Sequence, residues 1–305
     1  MLTVASLTRS ELERRLAGPG LTLRTGPFVS RIRSPIGRLA EGISLMYADA
    51  PLGADEDFAD FHLRLSPKGG WRRWYRPQVW FDLDGLVPFE PLPQVQAFPM
   101  LEWALNWAVS TRAHGYLMLH AAVVEKRGHA AILPAPPGSG KSTLCAALVN
   151  RGWRLLSDEL TLFVPDSGRV VPVARPVSLK NRSIDVIRAF APDAVFTQPV
   201  SNTAKGTVAH MKASSDSVAR MHELAQPAWI VFPKYEAGAD TVLEPIPRAR
   251  AFFRVAENSF NYSHMGASGF RTLAGVIDRC ASFDFRYSKL DEAIAVFDAL
   301  EPPPP

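Results

Sequence analysis

The chain has 305 residues, 47% of them hydrophobic, and 34 Lys+Arg against 30 Asp+Glu leave a formal charge of +4. That supplies apolar content for a large core, and the basic excess is too small to mark a nucleic-acid binder. No apolar run nears the roughly 18–20 residues of a membrane span, no signal-peptide core stands at the N-terminus, and Cys145 and Cys280 make no disulfide framework. The expectation is a soluble cytoplasmic protein with neither membrane nor nucleic acid as partner.

The first element is a predicted helix with Thr8 as N-cap, Glu11 completing a capping box, Leu12 and Leu16 on one face and Gly18 near its end. From Leu21 to about Leu86 the pattern changes to short strands and turns, including Gly20–Arg24, His62–Leu65 and Gln78–Phe81. The stretch Trp71-Arg72-Arg73-Trp74-Tyr75-Arg76 interleaves aromatics with basic residues. A nucleic-acid groove could look like this, but the pattern also fits a partly exposed strand with snorkelling arginines, which is the reading adopted. A Pro-rich connector, Pro88 to Pro93, leads to a helix from about Met100 to Ala113 with Leu101, Leu105 and Ala108 on its apolar face. Connector and helix set the expected boundary between a β-rich N-terminal region (1–95) and an α/β core (96–305).

In that core Leu117–Val124 reads as a strand, Glu125–Gly128 as a turn and His129–Leu133 as a second strand. Pairing Val124 with His129 would set His120 opposite Leu133. Next comes Ala135-Pro136-Pro137-Gly138-Ser139-Gly140-Lys141-Ser142, followed by a helix from Thr143 to Arg151 that Gly152 ends. Strand, Gly-rich loop, Lys-Ser and helix make a phosphate-binding loop, with Ala135 where the first glycine usually stands; a methyl is tolerable there if φ is negative. Small residues let backbone N–H groups curl around phosphate oxygens at the positive end of the helix. Lys141 can reach the outer phosphates, and the Ser142 hydroxyl can ligate Mg²⁺. The expected nucleotide contacts are Ala135, Pro136, Pro137, Gly138, Ser139, Gly140, Lys141, Ser142 and Thr143, joined by Lys205 from a later loop, with ATP and Mg²⁺ as cofactors.

The strand Trp153–Ser157 then ends in Asp158 and Glu159. A right-handed crossover returns it parallel to the strand before the loop, so both carboxylates arrive near the γ-phosphate, and His120 would sit beside the phosphates. Carboxylates there can hold Mg²⁺ or accept a proton from an attacking hydroxyl. The expected metal ligands are Ser142, Asp158 and Glu159, and the expected catalytic residues Asp158, His120 and Lys141. Further on, Asp166-Ser167-Gly168 reads as a hairpin turn, Trp229–Phe232 as a buried strand, and Asp291–Leu300 as a last helix capped by Ser288 or a neighbour. Pro302–Pro305 reads as an extended tail. Nothing supports a zinc site or a Gly-x-Ser-x-Gly elbow.

These motifs, with His120 before the loop and Arg151-Gly152-Trp153-Arg154-Leu155-Leu156-Ser157-Asp158-Glu159 after it, resemble the HPr kinase/phosphorylase superfamily. The closer resemblance is to the HprK-related kinase A group, through Pro176–Asn181, Lys205–His210 and Asn258–Tyr262. It implies a P-loop kinase core with a mixed sheet flanked by helices, Asp158 as base toward a serine hydroxyl, Glu159 at the metal and His120 near the reacting phosphate. The Arg-Gly-Leu-Gly-like signature of HPr kinase/phosphorylases is missing between Glu159 and Ala204, which argues against HPr as substrate and against a reverse phosphorylase activity. Lys205, before Gly206, could neutralise charge on a transferring phosphate or be a solvated surface lysine. The function expected is an ATP- and Mg-dependent kinase acting on a hydroxyl, on a peptide or protein substrate. The alternatives are an ATP-binding switch or scaffold without phosphotransfer, and a small-molecule kinase. A homo-oligomer is compatible with the resemblance.

Overall fold

The computed structural model describes residues 2–53 and 58–303. Pro304 and Pro305, the end of the expected tail, lie outside them. The fold is mixed α/β, and among the described residues the strands make three sheets.

The first helix, α1 (Arg9–Ala17), forms as predicted: Thr8 and Glu11 complete the capping box, Gly18 is the C-cap, and Leu12 and Leu16 are buried. A five-stranded sheet follows, built from β1 (Leu21–Thr25), β2 (Phe28–Arg33), β3 (Phe61–Pro67), β4 (Gln78–Leu83) and β5 (Leu92–Pro93) in chain order. The structure departs from the expected strands and turns at two places. Helix α2 (Gly37–Met46) interrupts the strands; it has no side-chain cap, and two glycines weaken its signal, yet Leu39, Ala40, Ile43 and Met46 carry the helical period and are buried. Trp71–Trp74 is a 3-10 turn rather than a strand, and the two tryptophans stand 73% and 79% exposed. The Gly69-Gly70 pair before it, with Gly70 at φ 97°, turns the chain out of β3.

Helix α3 (Ala97–Arg112) begins three residues earlier than predicted, with Pro99 tolerated in its first turn. The strands β6 (Leu117–Lys126) and β7 (His129–Pro134) make the expected hairpin, but around a two-residue turn with Arg127 and Gly128 both at positive φ. The register moves accordingly. Lys126 pairs with His129 and Ala121 with Pro134, so Leu133 lies opposite Ala122, and His120 falls beyond the end of β7, beside Ala135. Parity is kept, so His120 stays on the face first expected.

Helix α4 (Lys141–Val149) leads to β8 (Arg154–Ser157), which pairs antiparallel with β6 and therefore runs parallel to β7 across it. The strand does not stop at the carboxylates: after a break at Asp158-Glu159 the chain continues along the same edge of β6 as β9 (Leu160–Phe163). With β10 (Val170–Val171), β14 (Gln226–Tyr235), β15 (Val242–Pro245) and β16 (Ala281–Tyr287) these complete an eight-stranded mixed sheet, parallel at β7–β14 and β14–β16. A three-stranded sheet, β11 (Val177–Lys180), β13 (Gly206–Met211) and β12 (Val200–Thr203), stands beside it, followed in sequence by helices α6 (Ser215–Ala219), α7 (Arg248–Glu257) and α8 (Tyr262–Arg279) after α5 (Arg182–Phe190). The last helix, α9 (Leu290–Asp298), is not capped by Ser288: its N-cap is Lys289, whose ammonium offers no acceptor, and the Ser288 hydroxyl donates to Ala239 O (2.7 Å). No helix among the described residues is long and apolar enough to cross a membrane.

Strand alternation sorts the core into two faces. Leu117, Leu119, Ala121 and Val123 pack with Val255, Leu273 and Val276 of α7 and α8. Met118, Ala122 and Val124 pack toward Leu144 and Leu148 of α4 and Phe297 of α9. His120 shares the second face.

A buried ion pair ties β8 to β6: Arg154 Nε meets Glu125 Oε2, and the same guanidinium donates to Arg220 O (3.0 Å) and Glu223 O (3.1 Å). Replacing Arg154 by Met removes the buried partner of Glu125 and leaves its carboxylate with the partly exposed Arg220, whose Nη2 lies 3.6 Å from Oε2, and the Gly128 N–H. Thermal or urea unfolding should show a loss of about 3–5 kcal/mol; a loss under about 1 kcal/mol would mean the pair does not hold β8.

Candidate functional site

The predicted residues converge on one place, where β7 ends, α4 begins and β8 gives way to β9. Ala135 is buried and does not take a positive φ, which meets the condition its methyl imposes. Gly138 and Gly140 sit at φ 87° and 88°, the left-handed region that β-carbons resist. Gly140 has a second reason to be glycine: a Cβ there would stand 2.5 Å from Tyr287 Oη and 2.8 Å from Tyr235 Cβ. The loop is pinned from beneath, as Tyr235 N donates to Ser139 O (2.8 Å) and Tyr287 Oη to Gly140 O (3.0 Å). Gly140 is also the N-cap of α4 and has no side chain, so the first-turn N–H groups get no side-chain acceptor from it. The N-terminal end of α4 carries partial positive charge into the hollow of the loop.

Lys141 comes next. It is 7% exposed, and its Nζ has no hydrogen-bond partner; burial lowers its pKa, against the pull of Asp158 and Glu159. Asp158 is 6% exposed. Its Oδ2 accepts from Ser178 N (3.1 Å), the carboxylate is also bonded by the Ser142 side chain, and Oδ1 has no partner. Burial, then the charge of Glu159, pushes Asp158 up to about 6. An unpartnered ammonium and an unpartnered carboxylate oxygen, both buried beside one loop, are costly in a folded protein and mark a place where a ligand is expected.

Glu159 is half-buried and accepts from Asn106 Nδ2. Burial pushes its carboxyl up, but Lys205, Lys180 and Arg175 together outweigh that and hold it below the usual range. Lys180 ends β11 and Lys205 lies in the β12–β13 turn, its ammonium 5.6 Å from the centre of the Trp103 ring. Among the described residues neither lysine makes an ion pair. His120 is half-buried, with its ring 5.8 Å from that of Phe260 and its backbone N–H bonded to Asn258 O (2.7 Å). Burial, then Lys141, lowers its pKa to about 4, so the imidazole is neutral at neutral pH.

Sequence reasoning missed four residues that shape this site. Ser178 bonds Asp158 through its backbone, a contact no side-chain pattern signals. Asn106, Glu102 and Arg175 form a polar wall behind Glu159, and with Asp158, Ser178 and His210 they line a cavity of about 10 Å³, room for one water and far too small for a nucleotide. The pair Glu102 and Asn106 is visible in the sequence, one turn apart in the otherwise apolar stretch from Ala97 to Val109. Among the described residues no group of three or more His, Cys, Asp or Glu could hold a metal ion by itself.

A family model described as the SynChlorMet cassette protein ScmC matches residues 94–231, less than half of the chain but including every residue of the predicted site. No protein in a search of curated proteins matches. Among solved structures, the Hpr(Ser) kinase/phosphatase from Coxiella burnetii is similar over 59% of this chain and 90% of its own, at 9% identity and a TM-score of 0.25.

Proposed function

We propose that this protein is an ATP- and Mg²⁺-dependent kinase that passes the γ-phosphoryl group to a hydroxyl, on a serine of a peptide or protein. The observation that carries the reading is the buried Lys141 ammonium without a partner, at the start of α4 behind a loop with two left-handed glycines, beside the equally unpartnered Asp158 Oδ1. A triphosphate supplies what these groups lack: anionic oxygens for Lys141 and for the N–H groups of the loop and first turn.

The residues fit Mg²⁺ as well. Ser142, Asp158 and Glu159 offer hard oxygen donors, and one hydroxyl with two carboxylates suits an ion that arrives with phosphates better than one caged by protein alone. Charge neutralisation on the phosphate oxygens is what Mg²⁺ supplies when bound there. The chain's own residues do the rest. Asp158 Oδ2 is held by Ser178 N, which leaves Oδ1 to take the proton from the acceptor hydroxyl as that oxygen bonds to the γ-phosphorus and the bond to the β-phosphate oxygen breaks, releasing ADP. A carboxyl raised to about 6 is a stronger base than an ordinary aspartate and is still mostly ionised at neutral pH. Lys180 and Lys205, whose charges reach Glu159 and His120, would offset the charge that moves during transfer, and neutral His120 can donate or accept a hydrogen bond without adding charge. The peptide or protein acceptor follows the motif resemblance to serine kinases.

Label transfer tests this. With γ-labelled ATP and Mg²⁺ added to extract from the native host, the wild-type protein should label a discrete acceptor. Asp158→Asn should bind ATP and label nothing, and Lys141→Ala should lower turnover by on the order of 10² or more. Label appearing only as inorganic phosphate, or turnover unchanged in Lys141→Ala, would remove the kinase reading. The pH profile gives a second test. Transfer needs Asp158 ionised, so kcat/KM should rise with pH through about 6 and level off above it, with no loss from His120 until pH nears 4. A profile flat from pH 5 to 8 would exclude Asp158 as the base.

A further inference from the structure

We propose that Asn106 is the positioning residue for Glu159, and that its hold is set by a buried polar chain reaching back to Tyr47. The inference rests on the reading of Glu159 as a metal ligand.

The chain runs through five side chains. Tyr47 Oη donates to Glu102 Oε1 (2.6 Å), and Glu102 Oε2 lies 3.7 Å from Arg175 Nη1, which also donates to Glu102 O (3.4 Å). Arg175 Nη2 donates to Asn106 Oδ1, and Asn106 Nδ2 donates to Glu159 Oε2. Tyr47, Glu102 and Arg175 are 3%, 4% and 8% exposed, so bulk solvent does not reach these bonds. Asn106 lies between a guanidinium that only donates and a carboxylate that only accepts, so its amide can be oriented in one way alone. A guanidinium in direct contact with Glu159 would cover the carboxylate as a competing cation. The amide instead passes on orientation without charge, engages one oxygen and leaves Oε1 for a ligand.

The arrangement is not a by-product of local folding. Tyr47 follows α2, Glu102 and Asn106 lie one turn apart on α3, Arg175 precedes β11, and Glu159 sits at the β8–β9 break. Buried polar chains are seldom the cheapest way to fill a core, since apolar residues of similar volume are often as stable. Groups behind a metal ligand have a different use. They hold the ligand's rotamer, and their loss typically weakens metal binding 10–100-fold.

The test measures Mn²⁺ binding to the complex with a non-hydrolysable ATP analogue, by electron paramagnetic resonance, alongside nucleotide binding in the presence of a chelator. Asn106→Leu should weaken Mn²⁺ binding by about 10–100-fold and leave metal-free nucleotide binding unchanged. Tyr47→Phe keeps the ring against Phe98 and removes one hydrogen bond at the far end; it should weaken Mn²⁺ binding by about two- to fivefold. Where Asn106→Leu does not fold, Tyr47→Phe decides in the same direction. Folded variants that bind Mn²⁺ as wild type does, while Glu159→Gln binds it more weakly, would overturn the positioning role and leave the kinase reading standing. Loss of metal-free nucleotide binding in step with Mn²⁺ binding would also overturn it, by showing a general structural defect. If wild type and Glu159→Gln bind Mn²⁺ equally, the metal-ligand reading itself falls.

Discussion

Strand β6 is the constraint on which the rest depends. It is paired on both edges over the same few residues, with β7 along one side and the β8–β9 stretch along the other. Ala135 comes directly after the last pair of β7 on one side, and Asp158-Glu159 interrupts the pairing on the other, so residues 120–122 lie between the loop and the acidic pair. Neighbouring strands stand about 4.8 Å apart, which brings the backbones of the two within about 10 Å. The β6–β8 register shifts between Val123 and Val124, where Leu156 is the extra residue. Such a bulge twists the strand and re-aims the residues beyond it, here Ser157 and the carboxylates. A slip of one residue anywhere on β6 would send His120 to the α7–α8 face and dismantle the arrangement.

Beside the loop, Lys141 and Asp158 carry charges that the protein does not fully answer. Lys141 and Asp158 are each pushed toward the neutral form by burial, which is the sign of groups waiting for a partner rather than of a finished ion pair. Glu159 differs: three cations keep it ionised, and its neighbour Asn106 fixes one of its oxygens. Two adjacent carboxylates therefore have opposite tendencies, one poised to take a proton and one held as an anion. The proposed division of Asp158 as base and Glu159 as metal ligand would draw on carboxyl environments that differ in this way. The neutral His120 fits the same pattern, since a second fixed cation beside Lys141 would oppose the loop's own positive end.

The parts of the site legible in the sequence are those whose determinants lie within one or two adjacent elements. The β7–loop–α4–β8 run, the capping box of α1 and the hairpin can all be read because their signals sit side by side. The hairpin register reads two residues short because Arg127-Gly128, rather than the longer Glu125–Gly128, makes the turn, and Arg at positive φ gives no composition cue. Helix α2 is hidden by its glycines, although its apolar period is present. The wall behind Glu159 is out of reach for another reason. Its contacts join residues 53, 55 and 69 positions apart, and no spacing rule connects Tyr47 to Glu102 or Arg175 to Asn106.

That distance along the chain bears on the contribution of the N-terminal region. The core containing Val4, Leu39 and Ile43 continues without a gap through Leu101 and Leu105 of α3 to Leu144 of α4. Helix α3 turns its apolar face to that core and its Glu102 and Asn106 to the acidic pair, so one helix carries packing in from α2 and polar contacts out to Glu159. Gly42 of α2 lies against the Phe98 ring so closely that a Cβ would need that ring to move. A shift of α2 against α3 would therefore move Tyr47 and, through Glu102 and Arg175, the amide that holds Glu159. On the proposed positioning role, the orientation of Glu159 thus depends on the contact of α2 with α3, and α2 backs the wall of Glu102, Asn106 and Arg175 through Tyr47 while contributing no residue to the loop.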